Sequence, residues 1–394
     1  MRIIPRTSVR RRGTRPARGG RVAALLLAGA CAVGTVAAAP GTAVAAEPIG
    51  GPVMGTTYTR HVQAAKPFPE AYVKARAFLV ADLGTGAVYA SRRPHYEVKP
   101  ASTLKTLTAL TILRNVPLTK KVKMTSAVRR AECSCVGLTM GRTYTVEALL
   151  HALVMRSGND AAELLAMSTG SRARTLTLMR TTARQLRALD TYPLTPSGLD
   201  RAGDAQTISA YDLALINRAA FADPRFRKLM RTRAYAFGPV GGPSKRIVTQ
   251  NELYHMRYRG EIGSKNGWTR AAQQTFVAAA TRGNRTLVVT LLRNDRGIAK
   301  QARALLDWGF SLPAAPGAIG TLVPPAGTKP APATTATTAP LAAGAVATHV
   351  PDGLPVQASL SLGAVGFAGL ALFPRRRPRP VGARRGGSRG YFRG

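Results

Sequence analysis

Residues 99–113 read KPASTLKTLTALTIL, and the placement of Ser102 and Lys105 ahead of an apolar stripe governs how the rest of the chain is read. Leu104, Leu107, Leu110 and Leu113 recur near the helical period, which predicts a helix over 102–115. Ser102 and Lys105 stand three apart, so they share a face and their hydroxyl and amine can meet within hydrogen-bond reach. A neutral lysine there would take the serine proton and make the oxygen nucleophilic, provided burial or a cationic neighbour depresses its pKa. Alone, Ser-x-x-Lys is a common accident, equally readable as a capping serine beside a solvated lysine.

Two later stretches supply partners. HALVMRSGNDAAELLA (151–166) sets Ser157-Gly158-Asn159 between two helical patterns, where a loop can aim a hydroxyl and an amide into a cleft. The plain alternative is that Ser157 or Asn159 only caps the second helix. GEIGSKNGWT (260–269) sets Lys265-Asn266-Gly267 just before a strand-like hairpin. A strand edge bearing a small residue can lie along an extended peptide while its lysine attracts a carboxylate; otherwise this is an ordinary turn.

Around these stretches the chain alternates in a definite order. AFLVADL (77–83) and AVYAS (87–91) flank Gly84-Thr85-Gly86 as one hairpin, and QTFVAAAT (274–281) and RTLVVTLLR (285–293) flank Arg282-Gly283-Asn284 as another. Residues 102–115, 145–155, 160–168, 173–189 and 209–221 carry helical spacing, and Gly297 to Trp308 reads as a closing helix. Strands at both ends with helices between predict an α+β domain over 66–312, its antiparallel sheet built from both ends around an inserted helical lobe. No internal repeat is present.

Ser-x-x-Lys, a Ser-x-Asn and a Lys-x-Gly in this order and context resemble the serine-type D-alanyl-D-alanine carboxypeptidases, the low-molecular-mass penicillin-binding proteins (peptidase family S11). The resemblance runs from about Phe68 to Leu312 and takes in TYTVEALLHALVMRSGNDAA, SGLD (197–200), TISAYDLALINRAAFADPRF and LLDWGF. It implies a DD-peptidase/β-lactamase-like fold and no cofactor or metal. It makes Ser102 the acylated nucleophile, Lys105 its general base and Ser157 a proton relay. Asn159 would hold the substrate backbone, Lys265 would attract the terminal carboxylate, and Asn266, Gly267, Trp268 and Thr269 would complete the substrate-binding edge. The backbone N–H groups of Ser102 and Trp268 would form the oxyanion hole. The implied substrate is the peptidoglycan stem peptide, with β-lactams as acylating inhibitors. One position departs: the family usually carries Thr or Ser where this chain has Asn266. That hydroxyl normally helps bind the substrate carboxylate. The Asn266 amide and the nearby Thr269 are the expected substitutes.

The ends explain much of the charge. The 394 residues hold 57 Lys plus Arg against 18 Asp plus Glu, a net +39. Residues 1–46 pair a basic stretch with the apolar run VAALLLAGACAVGTVAAA (22–39) and small residues before Ala45 and Ala46, an export signal. Residues 47–65 form a short N-terminal segment. Residues 313–355 are rich in Pro, Ala and Thr, a linker too poor in apolar bulk to offset its ordering entropy. Val356 to Phe373 are apolar and uncharged and are followed by PRRRPRP, predicting a transmembrane helix and a basic cytoplasmic tail at 374–394. The domain between is then extracytoplasmic and membrane-held.

Other classes are less consistent with these residues. Export removes nucleic acid as a partner despite the charge, and no basic-aromatic recognition motif is present. The histidines show no ligand spacing, so no metal is expected. Cys133-Ser134-Cys135 stands open between a disulfide and free thiols. Trp268 is assigned to the groove and Trp308 to the core. The remaining alternatives are a β-lactamase, against which Glu163 offers no clear deacylation motif, and a wall-binding or penicillin-sensing protein with an altered site.

Overall fold

The computed structural model describes residues 47–328 except 129–131, 133 and 201–202. The described elements begin with a 3-10 turn at Pro52–Gly55, then β1 (Arg60–His61), β2 (Ala77–Asp82) and β3 (Ala87–Arg92). A second 3-10 turn, Ala101–Leu104, leads into α1 (Lys105–Asn115), β4 (Lys121–Lys123), β5 (Thr143–Thr145) and α2 (Val146–Arg156). Next come α3 (Asn159–Met167), α4 (Arg172–Gln185), α5 (Ala210–Ala222), α6 (Pro224–Arg231), β6 (Ala234–Phe237) and β7 (Lys245–Val248). The chain closes through α7 (Glu252–His255), β8 (Glu261–Thr269), β9 (Gln273–Arg282), β10 (Arg285–Asn294), α8 (Ile298–Phe310) and β11 (Gly320–Thr321).

The main sheet has seven antiparallel strands in the order β1-β3-β2-β10-β9-β8, with β11 also pairing β3. The two expected hairpins therefore meet at its centre, where β2 lies against β10. The central strands read as continuous apolar runs because both faces are covered. In β2, Ala77, Leu79 and Ala81 join the helical lobe, whereas Phe78 and Val80 face the layer made by α8. Trp308 is fully buried in that second layer, as expected. Asp82 closes the first hairpin by accepting the N–H groups of Gly84 and Thr85 at 2.8 and 3.0 Å.

Local chemistry sets the lobe's helix limits. The side chains of Thr145 and Ser209 accept N–H groups in the first turns of α2 and α5. The helix expected over 173–189 stops at Gln185, because Arg187 turns into the left-handed region (φ 61°) and the Ala188 N–H returns to the Ala183 carbonyl. The helix expected from Ser102 begins instead as a 3-10 turn and becomes α-helical at Lys105.

The folded unit reaches past 66–312 at both ends. Met54 and Leu322 are core residues, and β1 and β11 both add to β3. The linker expected from 313 therefore does not begin there. Ile319 and Leu322 supply enough apolar surface to dock, and the Leu322 N–H donates to the Gly86 carbonyl at 2.7 Å. Among the described residues, no helix is long and apolar enough to cross a membrane. The export signal at 1–46 and the span at 356–373 lie outside the described residues.

Candidate active site

The turn that carries Ser102 is held by backbone geometry and by hydroxyl bonds to Pro100. Ala101 holds a left-handed φ of 45°, which turns Ser102 out at the head of α1. The Pro100 carbonyl before it accepts hydroxyls from Thr103 at 2.6 Å and from Thr275 of β9 at 2.9 Å. Two glycines permit the packing around it. A Cβ on Gly198 would lie 1.8 Å from the Ala101 carbonyl oxygen, and one on Gly267 of β8 would lie 2.5 Å from the Ser102 nitrogen.

Lys105 is fully buried and sits at the junction of the first two motifs. Its Nζ lies 2.6 Å from Ser102 Oγ, 2.7 Å from Asn159 Oδ1 and 3.4 Å from Ser157 Oγ. Burial, and then the charge of Lys265, hold its pKa well below the ordinary lysine value, against the pull of Asp160 and Glu163. A neutral amine has two N–H donors and one lone pair. Nζ donates to all three oxygens; after it loses a proton, Asn159 Oδ1 can still only accept, so the freed lone pair falls to a serine hydroxyl.

The second motif does more than cap. Ser157 ends α2 with a left-handed φ of 56°, and the N-cap of α3 is Gly158, with no side-chain cap bond. Neither Ser157 nor Asn159 is spent on the helix end. Asn159 Nδ2 donates to the Glu132 carbonyl at 2.7 Å while its oxygen accepts from Lys105. Asp160 accepts N–H groups from Val136, Gly137 and Leu138 at 3.0, 2.9 and 3.1 Å, which ties the loop after Cys135 to the start of α3. Cys135 itself is disulfide-bonded; Cys133 lies outside the described residues.

β8 forms the open edge of the sheet and the other wall of the cleft. Lys265 is buried, and burial brings its pKa down to about 7 against the opposing pull of Glu252. Its Nζ donates to the carbonyl of Asn266 at 2.6 Å and to Asn266 Oδ1 at 3.2 Å, and Asn266 Nδ2 donates to Glu252 Oε1 at 2.9 Å. Burial raises the pKa of Glu252, against its bond from Asn266 and the charges of Lys265 and His255. A cleft of about 250 Å³ is lined by Ser102, Ser134, Ser157, Glu252, Asn266, Gly267 and Trp268. Trp268 is 69% exposed at its rim.

Thr269 is not among the residues lining this cleft. Its hydroxyl accepts the Ala272 N–H at 3.0 Å in the turn between β8 and β9, which leaves the hydroxyl proton free to donate. Glu163 is held by Arg172 at 2.8 Å and likewise does not line the cleft. Sequence reasoning missed Glu252 and Asp160. Asp160 adjoins the Ser157-Gly158-Asn159 motif, but its three backbone partners lie more than twenty residues earlier. Glu252 carries no local signal. Among the described residues, His95, Asp190 and Asp212 are the one group whose side chains converge with metal-ligand spacing. They stand apart from this cleft, and His95 is engaged by Asp190 and the Ile49 carbonyl.

The chain is similar to known proteins in sequence and in fold. Residues 61–295 match the family model described as D-alanyl-D-alanine carboxypeptidase. The chain is 41% identical over 254 residues to the D-alanyl-D-alanine carboxypeptidase DacB2 of Mycobacterium tuberculosis, covering 62% of this chain and 85% of that protein. A crystal structure of a D-alanyl-D-alanine carboxypeptidase from Mycobacterium tuberculosis superposes with a TM-score of 0.62 at 40% identity, covering 66% of this chain and 99% of the other. A Streptomyces DD-transpeptidase superposes with a TM-score of 0.57 at 27% identity, covering 63% and 100%.

Proposed function

The chain belongs to the D-alanyl-D-alanine carboxypeptidase family and is a serine-type hydrolase of that kind; from this premise we propose that Ser102 is its acylated nucleophile and Lys105 the general base. The observation that carries the assignment is the buried Lys105 amine 2.6 Å from Ser102 Oγ, its pKa held well below the ordinary lysine value by burial.

In the proposed reaction the stem peptide lies along the open edge of β8, with its terminal carboxylate toward Lys265 and Asn266. Ser102 Oγ attacks the carbonyl carbon of the penultimate D-Ala as its proton passes to Lys105. The Ser102 and Trp268 N–H groups receive the developing oxyanion, each worth about 3 kcal/mol in a pre-organised site. The C–N bond breaks, and the proton travels from Lys105 through Ser157 to the departing nitrogen, releasing D-Ala. Water then adds to the ester while Lys105 takes its proton, and that proton returns to Ser102 as the acid leaves. Overall, one water is consumed for each D-Ala released. A β-lactam would acylate the same oxygen, its opened ring retaining the amine.

Asn266 sets the cost of carboxylate binding. One N–H of its Nδ2 is engaged by Glu252, so an incoming carboxylate meets the second N–H beside an acid that already holds the amide. We further propose that residues 1–46 export the chain and that 356–373 hold it in the membrane, with the hydrolase outside. The basic balance of 47–312, 40 Lys plus Arg against 17 Asp plus Glu, suits an anionic wall.

Release of D-Ala from a defined pentapeptide, followed by mass analysis, tests the reaction; an intact pentapeptide would overturn it. The pH profile tests the two lysines. In kcat/KM, which reports the free enzyme, the wild type should rise as Lys105 loses its proton and fall above about 7 as Lys265 does. Lys265→Gln removes the like charge that disfavours protonated Lys105, so the Lys105 pKa rises. The acidic limb should then move to higher pH and the basic limb should vanish. An unmoved acidic limb would show that the two amines are not coupled.

A further inference from the structure

Left-handed backbone on residues with side chains is costly, and strain of this kind gathers at functional sites. Ala101 and Ser157 are two such residues, and they belong to the catalytic cleft. Three more line a single second cavity: Arg93 (φ 46°), Gln273 (φ 57°) and Arg293 (φ 55°). Glycine would take any of these conformations without penalty, yet two of the three positions carry arginine. Arg293 sits where the register of β10 against β9 shifts, an irregularity that re-aims a side chain.

The cavity is an open bowl of about 690 Å³. Lys74, Arg76, Arg92, Arg93 and Arg293 face it, against only Glu70 and Asp295. Arg92 is committed to the fold: it pairs with Glu70 and donates to Thr59 Oγ1 and to the carbonyls of Val73 and Ala75. Asp295 accepts from Gln273 at 3.1 Å. Lys74, Arg76, Arg93 and Arg293 form no ion pair among the described residues. Arg76 and Arg93 lie over the Tyr96 ring, at 5.3 and 5.8 Å from its centre, which fixes both guanidinium groups at the wall. Five cations against two carboxylates leave the bowl a net positive charge of three, and a polyanion relieves the repulsion among them.

We propose that this bowl binds a phosphate-bearing chain at a site separate from the catalytic cleft and beside it. Guanidinium forks match phosphate oxygens in bidentate geometry, and several forks around one concavity suit successive phosphates better than a lone carboxylate. The concave shape admits a flexible chain, whereas a flat bilayer meets the rim. Gln274 lines the catalytic cleft and Gln273 lines the bowl, so a polymer held here keeps any peptide it bears close to Ser102.

Calorimetric titration of the full chain with sodium tripolyphosphate, at low and moderate salt, tests the assignment. Saturable binding that weakens with salt is expected. Arg93→Gly and Arg293→Gly should each weaken it by about tenfold, as for the loss of one charge-assisted contact. Arg293→Gly should melt no lower than wild type, because glycine relieves the left-handed strain, whereas Arg93 also donates to the Thr57 carbonyl at 3.2 Å and is read by binding alone; both should release D-Ala from a short soluble pentapeptide at the wild-type rate. Lys300→Gln, an exposed charge outside the bowl, should bind normally. The proposal is overturned if wild type shows no saturable binding, if the two glycine variants bind as wild type does, or if Lys300→Gln loses as much affinity. It is also overturned if Arg293→Gly melts lower, which would make that arginine structural, or if phosphatidylglycerol vesicles bind while tripolyphosphate does not.

Discussion

Lys105→Met should lower the rate of Ser102 acylation by about 10³-fold, within the range a positioned general base contributes. Methionine fills a similar volume in a site with no solvent access, so the helix behind it should stay packed. What is lost is the lone pair 2.6 Å from Ser102 Oγ. No other described amine or imidazole makes a hydrogen bond to that oxygen, so substitution from a neighbour is not expected. The rate is best read from acylation by a fluorescent penicillin under single-turnover conditions, with circular dichroism to show the fold intact. A folded variant acylating within fivefold of wild type would remove Lys105 from the chemistry.

Gly267→Ala should be nearly as damaging although it deletes nothing. The added carbon would stand 2.5 Å from the Ser102 nitrogen, 2.6 Å from Thr275 Oγ1 and 3.0 Å from Ala101 Cβ. Two of these contacts involve the nucleophile turn and the third is the hydroxyl that holds Pro100, so no flexible chain end can yield. β8 must move away from the turn, carrying the Trp268 N–H and Lys265 with it. Loss of one oxyanion donor predicts a fall in kcat of about 10²- to 10³-fold. Overpacking of this kind adds about 2 kcal/mol of destabilisation. Urea denaturation and D-Ala release together check both parts; an active, fully stable Gly267→Ala would mean that β8 does not approach Ser102 this closely.

Much of this site was legible before any coordinates, for reasons of chain geometry. Ser102 and Lys105 meet because three residues make most of a helical turn, and the two hairpins follow from apolar runs around Gly84-Thr85-Gly86 and Arg282-Gly283-Asn284. What stayed hidden depends on partners distant in sequence. Asp160 is an unremarked acid until its three backbone donors at 136–138 are seen. Glu252 reaches Asn266 only after β8 folds past α7. Residues 319–323 look like linker by composition, yet they dock because β3 offers an unpaired edge. Thr269 is near Asn266 in sequence, and its hydroxyl also accepts the Ala272 N–H in the turn after β8, a bond that sequence spacing does not reveal.

The departure at Asn266 keeps substrate affinity apart from chemistry. The amide links Lys265 to Glu252, so the carboxylate pocket is already bridged within the protein. Ser102, Lys105, Ser157 and Asn159 lie on the other wall and are joined to one another by hydrogen bonds that do not pass through that bridge, with only the Lys265 charge felt at Lys105. A weak KM with an intact acylation step is therefore the expected signature.

The most direct measurement is the intact mass of the full chain after incubation with benzylpenicillin, with peptide mapping of the product. One covalent adduct of the whole inhibitor is expected, on the peptide that contains Ser102, and none in Ser102→Ala. No adduct on the folded wild type, or an adduct that persists in Ser102→Ala, would contradict the assignment of Ser102 as the nucleophile.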